Sequence, residues 1–253
     1  MQQSMQSSAR SKSRLVSLRP VVNMLERVIT EEARILNASI KAEKFVSLSL
    51  VSDAFTAPSW EPGDKVDFQI DALSYRSYTP VRMDVQKGQM DLLIYLHGDS
   101  PATRCVSRLK RGEMVRIYGP RRSTRLGALP SCLSIFGDET SLALMAARKA
   151  QNLDFCGAEC LVETDDVPSS TQMLDMLGLK DAKLFQRSKD SEHLKEMALQ
   201  AHRWLSEKTE RQILLTGRAH SIQFLRKALI ASGIDKSRIE SHAFWADGKT
   251  ALG

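Results

Sequence analysis

The chain has 253 residues, 42% of them hydrophobic and 26% charged, and a formal charge of +6. That size allows one large domain or two ordinary ones, and the composition is that of a globular protein. No apolar run approaches the roughly 20 residues that span a bilayer, and Arg10, Lys12 and Arg14 contribute three of the six net charges, so the remainder is too mildly basic to suggest a nucleic-acid surface.

Residues 1–14, Gln/Ser-rich and basic with no apolar core, read as a disordered tail rather than a secretory signal. Pro20 to about Ala33 predicts a helix, with Val22, Met24, Leu25, Val28 and Ile29 as its stripe. Arg34 to Ser52 changes to a period near two and predicts two strands bent around Lys41–Lys44. Pro62-Gly63-Asp64 punctuates a turn. Lys65 to Ile70 alternates cleanly as a strand. Arg76-Ser77-Tyr78-Thr79-Pro80 reads as a strand end, and Val81 to Val85 continues as strand. Lys87-Gly88 is a hairpin turn, and Met90 to Gly98 is the strongest strand signal of the first half. Ser100 to Arg111 predicts a loop and a short helix, and Met114 to Tyr118 another strand. About six short strands separated by turns predict a small antiparallel barrel.

From Cys132 the rhythm changes. Strands are predicted at 132–136, 158–163, 183–186, 211–216 and 239–245. Helices fall between them, around Leu142–Lys149, Ser169–Leu177, His193–Lys208 and Ala219–Ser232. Strands alternating with helices imply right-handed crossovers and a parallel, helix-covered sheet. The expected organisation is a tail over 1–14, a barrel domain over 15–128 and an α/β domain over 129–253. Arg121-Arg122-Ser123-Thr124 and Gly127 mark the connector.

Candidate chemistry sits at six places. Arg76, Tyr78 and Thr79 would offer one surface at a strand end. The guanidinium suits a phosphate, the ring a flat ring, and the hydroxyl the edge of that ring, so the trio suits a flavin nucleotide. Gly137-Asp138-Glu139-Thr140 joins the first strand of the α/β half to its helix, where ligands bind in open parallel sheets. A plain capped turn is the other reading of it. Arg187-Ser188-Lys189 follows the third strand and suits a phosphomonoester such as the 2′-phosphate of NADP, or is a solvated loop. Gly217-Arg218 follows the fourth strand. His97 to Thr103 follows the strongest barrel strand. Arg104 to Arg125 holds eight basic residues and one acid, Glu113, a segment able to steer an anionic substrate. Cys105, Cys132, Cys156 and Cys160 have no zinc-finger spacing and read as reduced thiols of a cytoplasmic chain.

Taken together, Pro62-Gly63-Asp64, Arg76 to Pro80, Leu96-His97-Gly98 with Pro101-Ala102-Thr103, Gly119-Pro120-Arg121, Gly137 to Thr140 and Phe244-Trp245-Ala246-Asp247-Gly248 resemble the siderophore-interacting flavoproteins, a branch of the ferredoxin–NADP reductase-like superfamily. The resemblance runs over about residues 32–248. It implies an FAD-binding barrel followed by an NAD(P)H-binding α/β domain. Arg76 would hold the FAD pyrophosphate, Tyr78 would pack on the isoalloxazine and Thr79 would bond near its N5. His97, Ala102 and Thr103 would line the pyrophosphate and adenosine side, with Trp245 near the flavin. Gly137, Asp138, Glu139, Thr140, Arg187, Lys189 and Gly217 would border NADPH or NADH, Arg187 and Lys189 leaning toward NADPH. The implied activity is reduction of a ferric siderophore with release of Fe(II). Arg104 and Arg108 would meet the chelate, and the protein would act as a cytoplasmic monomer without a nucleic-acid or membrane partner. Departures from the family pattern fall at Arg104-Cys105, Arg218 and Ala246. Two alternatives remain: a related reductase passing electrons to a separate protein, and a flavin- or ligand-binding protein without turnover.

Overall fold

A computed structural model of the protein describes residues 30–56, 60–72, 74–122, 132–150 and 159–248. The expected tail, most of the expected first helix, the connector beyond Arg122 (Arg125 included) and Cys156 lie outside these residues.

Seven antiparallel strands form the first sheet: β1 (Glu31–Lys41), β2 (Phe45–Val51), β3 (Lys65–Asp71), β4 (Ser74–Tyr78), β5 (Pro80–Asp84), β6 (Gln89–Tyr95) and β7 (Met114–Arg121). Their order is β4-β3-β7-β1-β2-β6-β5. The helix expected to reach Ala33 does not do so, because Glu31 to Arg34 pair with β7. Ala33 and Ile35, two apart, are both buried, which is the strand period. In β3 the same rule sends Val66, Phe68 and Ile70 inward. They meet Leu48, Leu50 and Ile117 in the barrel core. The two edge strands, β4 and β5, are separated in the chain by Thr79 alone. The sheet must therefore curl until its edges meet at that residue. A short helix, α1 (Pro101–Val106), packs on β3 and starts at Ser100, whose hydroxyl accepts from Thr103 N.

The second sheet is parallel, in the order β10-β9-β8-β11-β12. Its strands are β8 (Leu133–Gly137), β9 (Cys160–Thr164), β10 (Lys183–Gln186), β11 (Gln212–Arg218) and β12 (Ile239–Trp245). Helices α2 (Leu142–Ala150), α3 (Val167–Met176), α4 (Glu192–Glu207) and α5 (Ala219–Ala231) connect them. Every residue of β8 and β9 is buried, as expected for central strands covered on both faces. On one face α4 contributes Leu194, Met197, Ala201 and Leu205, packed with Leu225 and Leu229 of α5. On the other face lies α2, buried from Leu142 through Arg148. A helix buried all round needs cover on two sides. The sheet covers one side, and β5 and β6 of the barrel cover the other. Phe45 and Leu93 therefore share a cluster with Leu142, Met145 and Leu214. Lys44 adds a link between the two sheets, pairing with Asp166 at 3.2 Å.

Candidate functional site

The curl of the first sheet sets Arg76, Tyr78 and Thr79 at its seam. Arg76 is half-buried, and its Nη1 donates to the carbonyl of Tyr75 at 2.8 Å. No carboxylate pairs with it among the described residues. Neighbouring arginines are different. Arg121 pairs with Asp67, Arg82 with Asp91 at 2.8 Å and Arg122 with Glu61 at 2.7 Å. A partly desolvated guanidinium with donors to spare is suited to an anionic ligand. The Tyr78 ring stands edge-on to Phe68, with centroids 6.3 Å apart. Burial pushes its hydroxyl up to about 12, the Arg76 charge opposing and Cys105 adding. The hydroxyl thus lies within the fields of both β4 and α1. Ala102 and Cys105 pack on the barrel core. Thr103 Oγ1 accepts from the Ser100 hydroxyl at 3.1 Å, which leaves its own proton aimed at the His97 carbonyl at 3.4 Å. Loop 97–103 is held in place by these bonds.

At the carboxyl ends of β8 and β11 a second group forms around Asp138, which is fully buried. Its carboxylate accepts from Thr140 N at 2.9 Å and from the Trp245 indole at 2.6 Å. Burial, then the charge of Glu139, pushes its pKa up to about 7 against those hydrogen bonds. Gly217 makes room for it. Its φ is +89° and a Cβ there would stand 2.6 Å from the Asp138 carboxylate. On the other side a Cβ at Gly137 would overlap Ser141. Pairing along β12 jumps from Ala243 to Trp245. The extra residue, Phe244, forms a bulge, and bulges re-aim the side chain that follows. The Trp245 ring lies 4.3 Å from that of His97 across the interface between the sheets. Arg218 sits 5.7 Å from the indole centre and pairs with Asp247 at 2.8 Å.

A third group occupies the ends of β9 and β10. Arg187 Nη2 pairs with Glu139 at 3.1 Å, its Nε with Glu163 at 3.6 Å and its Nη1 with Asp165. Its side chain is only 9% exposed. Burial alone would lower its pKa, but the three carboxylates outweigh that and hold it above the ordinary guanidinium value. Glu163 also meets His193 Nε2 at 3.0 Å. The Ser188 N–H points at His193 Nδ1 at 3.1 Å, so Nδ1 accepts and the imidazole proton sits on Nε2. Thr164 Oγ1 donates to Glu139 at 2.9 Å. Tyr95 of the barrel approaches this group. Burial, then Glu139 and Asp165, raise its hydroxyl pKa.

The structure thus brings together Arg76, Tyr78 and Thr79 at one seam, and His97, Asp138, Gly217 and Trp245 at one interface. Arg187, expected at the dinucleotide, is engaged by Glu139, Glu163 and Asp165. Lys189 stands exposed in the turn beyond. Arg104 is exposed and paired with Asp99 at 2.6 Å, and Arg108 is exposed. Part of the basic segment is neutralised, because Arg104, Arg116, Arg121 and Arg122 all pair with acids. Glu163, Asp165 and His193 were not singled out from the sequence. The run Glu163-Thr164-Asp165-Asp166, at the carboxyl end of a parallel strand, was the signal that could have found them.

Residues 16–124 match the family described as the siderophore-interacting FAD-binding domain. No curated protein matches the sequence. Among solved structures, a siderophore utilization protein from T. fusca is similar with a TM-score of 0.70 at 18% identity, over 88% of this chain and 95% of that one. The siderophore-interacting protein of Aeromonas hydrophila gives 0.69 at 16%, over 87% and 92%. A ferredoxin reductase of carbazole 1,9a-dioxygenase gives 0.67 at 14%, over 85% and 69%. The chain has the two-domain ferredoxin reductase-like fold, and its first domain, over residues 16–124, is similar to the siderophore-interacting FAD-binding domain.

Proposed function

We propose that the protein is a flavoprotein reductase that takes electrons from NAD(P)H and reduces the iron of a ferric siderophore, releasing Fe(II). The observation that carries this reading is the half-buried Arg76 guanidinium, without a carboxylate partner among the described residues, one strand period from the Tyr78 ring at the barrel seam. That set fits FAD, an anionic pyrophosphate joined to a flat ring. Arg76 would hold the pyrophosphate, Tyr78 the face of the isoalloxazine and Thr79 its edge. His97, Ala102 and Thr103 would border the rest. Bound there, FAD supplies two-electron chemistry toward a nicotinamide and one-electron chemistry toward ferric iron.

The chain's own part is placement. The His97–Trp245 contact holds the barrel loop and the end of β12 together, which would set the two nucleotides side by side. Asp138 fixes the indole, and Gly217 lets the backbone of β11 pass close to it. Gly137 to Thr140 would meet the dinucleotide at the start of α2. No side chain has to carry a proton to the iron, so the site needs no general base. The exposed cations Arg108, Lys110 and Arg111, in the turn after α1, would attract an anionic chelate. Among the described residues Cys105, Cys132 and Cys160 form no disulfide, which fits work in a reducing cytoplasm. Reconstitution with FAD, followed by NADH or NADPH and a ferric siderophore in the presence of a ferrous chelator, tests the reading. Coloured ferrous complex supports it, and a protein that takes up no FAD overturns it.

A further inference from the structure

The turn between β1 and β2 reaches from the barrel to the second domain. Lys41 pairs with Phe45, so the loop is Ala42-Glu43-Lys44. Three-residue hairpin loops usually hold a type I turn closed by one left-handed residue. Here the first two residues are left-handed, with φ of 44° at Ala42 and 61° at Glu43, and neither is glycine. A Cβ makes that conformation costly, and such outliers persist only where surrounding contacts hold them.

The contacts that hold this turn come from the second domain. Ala42 packs against the cluster that contains Leu142, Met145, Leu174 and Leu179. Phe45, fully buried, belongs to the same cluster. Lys44 pairs with Asp166, the residue that caps α3. The Lys44 side chain is 43% exposed, so the ion pair alone contributes little, and burial of Ala42 and Phe45 carries the docking. Glu43 is exposed and makes no ion pair among the described residues.

The turn is also continuous with the candidate site. The Lys44 carbonyl accepts from Leu96 N at 2.8 Å, and the Phe45 ring lies 5.1 Å from that of Tyr95. Tyr95 is followed at 6.2 Å by the His97 ring, which meets Trp245. A shift of the turn is therefore passed along the end of β6 to His97, where the barrel meets the end of β12.

We propose that Ala42-Glu43-Lys44 is the joint that sets the two domains in register, held in its left-handed conformation by the second domain and thereby fixing how closely a donor on that domain approaches a flavin on the barrel. The part concerning the donor rests on the reading that a nicotinamide dinucleotide reduces the flavin.

Glu43 is the probe, because its exposed side chain can be changed without removing a packed contact. Glu43→Ile places a β-branched residue where such residues are outliers, and Glu43→Gly permits the same φ freely. Hydrogen exchange on the full chain as purified reads the docking, since the barrel covers one side of α2. Glu43→Ile is expected to speed exchange over 142–150 by at least about tenfold and to leave Val66 to Ile70 unchanged, while Glu43→Gly matches wild type. In the FAD-loaded protein without oxygen, Glu43→Ile should slow bleaching by NADH or NADPH about 10- to 100-fold. Bleaching by dithionite, which needs no docked donor, should keep its rate, and FAD affinity should stay within about threefold. Unchanged exchange over 142–150 overturns the joint. Faster exchange with bleaching by NADH and NADPH at the wild-type rate overturns its control of the donor's approach, as does an equal slowing with dithionite. A wild-type flavin that neither nucleotide bleaches overturns the reading beneath and the part concerning the donor, and the exchange result still decides the joint.

Discussion

The Trp245 indole donates to the buried Asp138 carboxylate at 2.6 Å, joining residues 107 apart in sequence. The bond ties the end of β12 to the first turn of the second sheet and sets Trp245 against His97 of the barrel. Its acceptor titrates unusually, because burial pushes Asp138 up to about 7 while an unfolded aspartate titrates near 3.9. Between about pH 4 and about pH 7 the folded protein holds a proton that the unfolded chain has lost. Stability from this group is therefore complete below about pH 4 and is lost as pH rises to about 7, by about 1.4 kcal/mol per unit. Asp138→Asn removes that slope. Urea denaturation at about pH 5 and about pH 8 should show wild type losing stability relative to the variant at the higher pH; an equal difference at both pH values would mean that Asp138 titrates normally.

Gly217 admits no side chain. Its φ of +89° is strained for other residues, and an added Cβ would stand 2.6 Å from the Asp138 carboxylate. Gly217→Ala should cost more than about 2 kcal/mol, by the combination of backbone strain and overpacking. Chemical denaturation checks this, and a loss below about 0.5 kcal/mol would show that the turn relaxes freely.

Two arginines in ion pairs should respond very differently to loss of charge. Arg187→Met leaves Glu139 and Glu163 buried without their counterion and should cost about 3–5 kcal/mol. Arg104→Met breaks a pair whose partner, Asp99, is 84% exposed, and should cost less than about 1 kcal/mol. Equal losses in denaturation would contradict the enclosed geometry of Arg187.

Much of this was legible before any coordinates. Alternation in Lys65 to Ile70 identified β3, and continuous apolar runs identified β8 and β9, because burial on one face or on two leaves different patterns. The expected barrel of about six strands has seven, since the stretch read as continuing from Arg76 to Val85 breaks at Thr79 into β4 and β5; the helix was also carried on to Ala33, where Glu31 to Arg34 pair with β7. Propensity cannot foresee that pairing. The seam residues Arg76, Tyr78 and Thr79 were readable because they share one local stretch. The fate of Arg187 was not, since its carboxylates lie on Glu139, Glu163 and Asp165, up to 48 residues away, and only folding brings them together.

Arg76 should govern flavin affinity. Charge-assisted hydrogen bonds contribute about 1.5–3 kcal/mol each, so Arg76→Met should weaken FAD binding by about 10- to 100-fold. Arg82→Met, which removes a guanidinium already paired with Asp91, should leave it within about threefold. Fluorescence titration with FAD reads both, and the reverse ranking would move the pyrophosphate away from the seam.

The central claim is electron transfer from a dinucleotide to ferric iron through a flavin held at Arg76 and Tyr78. It is tested most directly by following flavin absorbance without oxygen while NADH and then a ferric siderophore are added. The account predicts bleaching by NADH, recovery of the oxidised spectrum on adding the siderophore, and Fe(II) captured in proportion. A flavin that binds but is not bleached by either NADH or NADPH, or a reduced flavin indifferent to the ferric chelate, would contradict it.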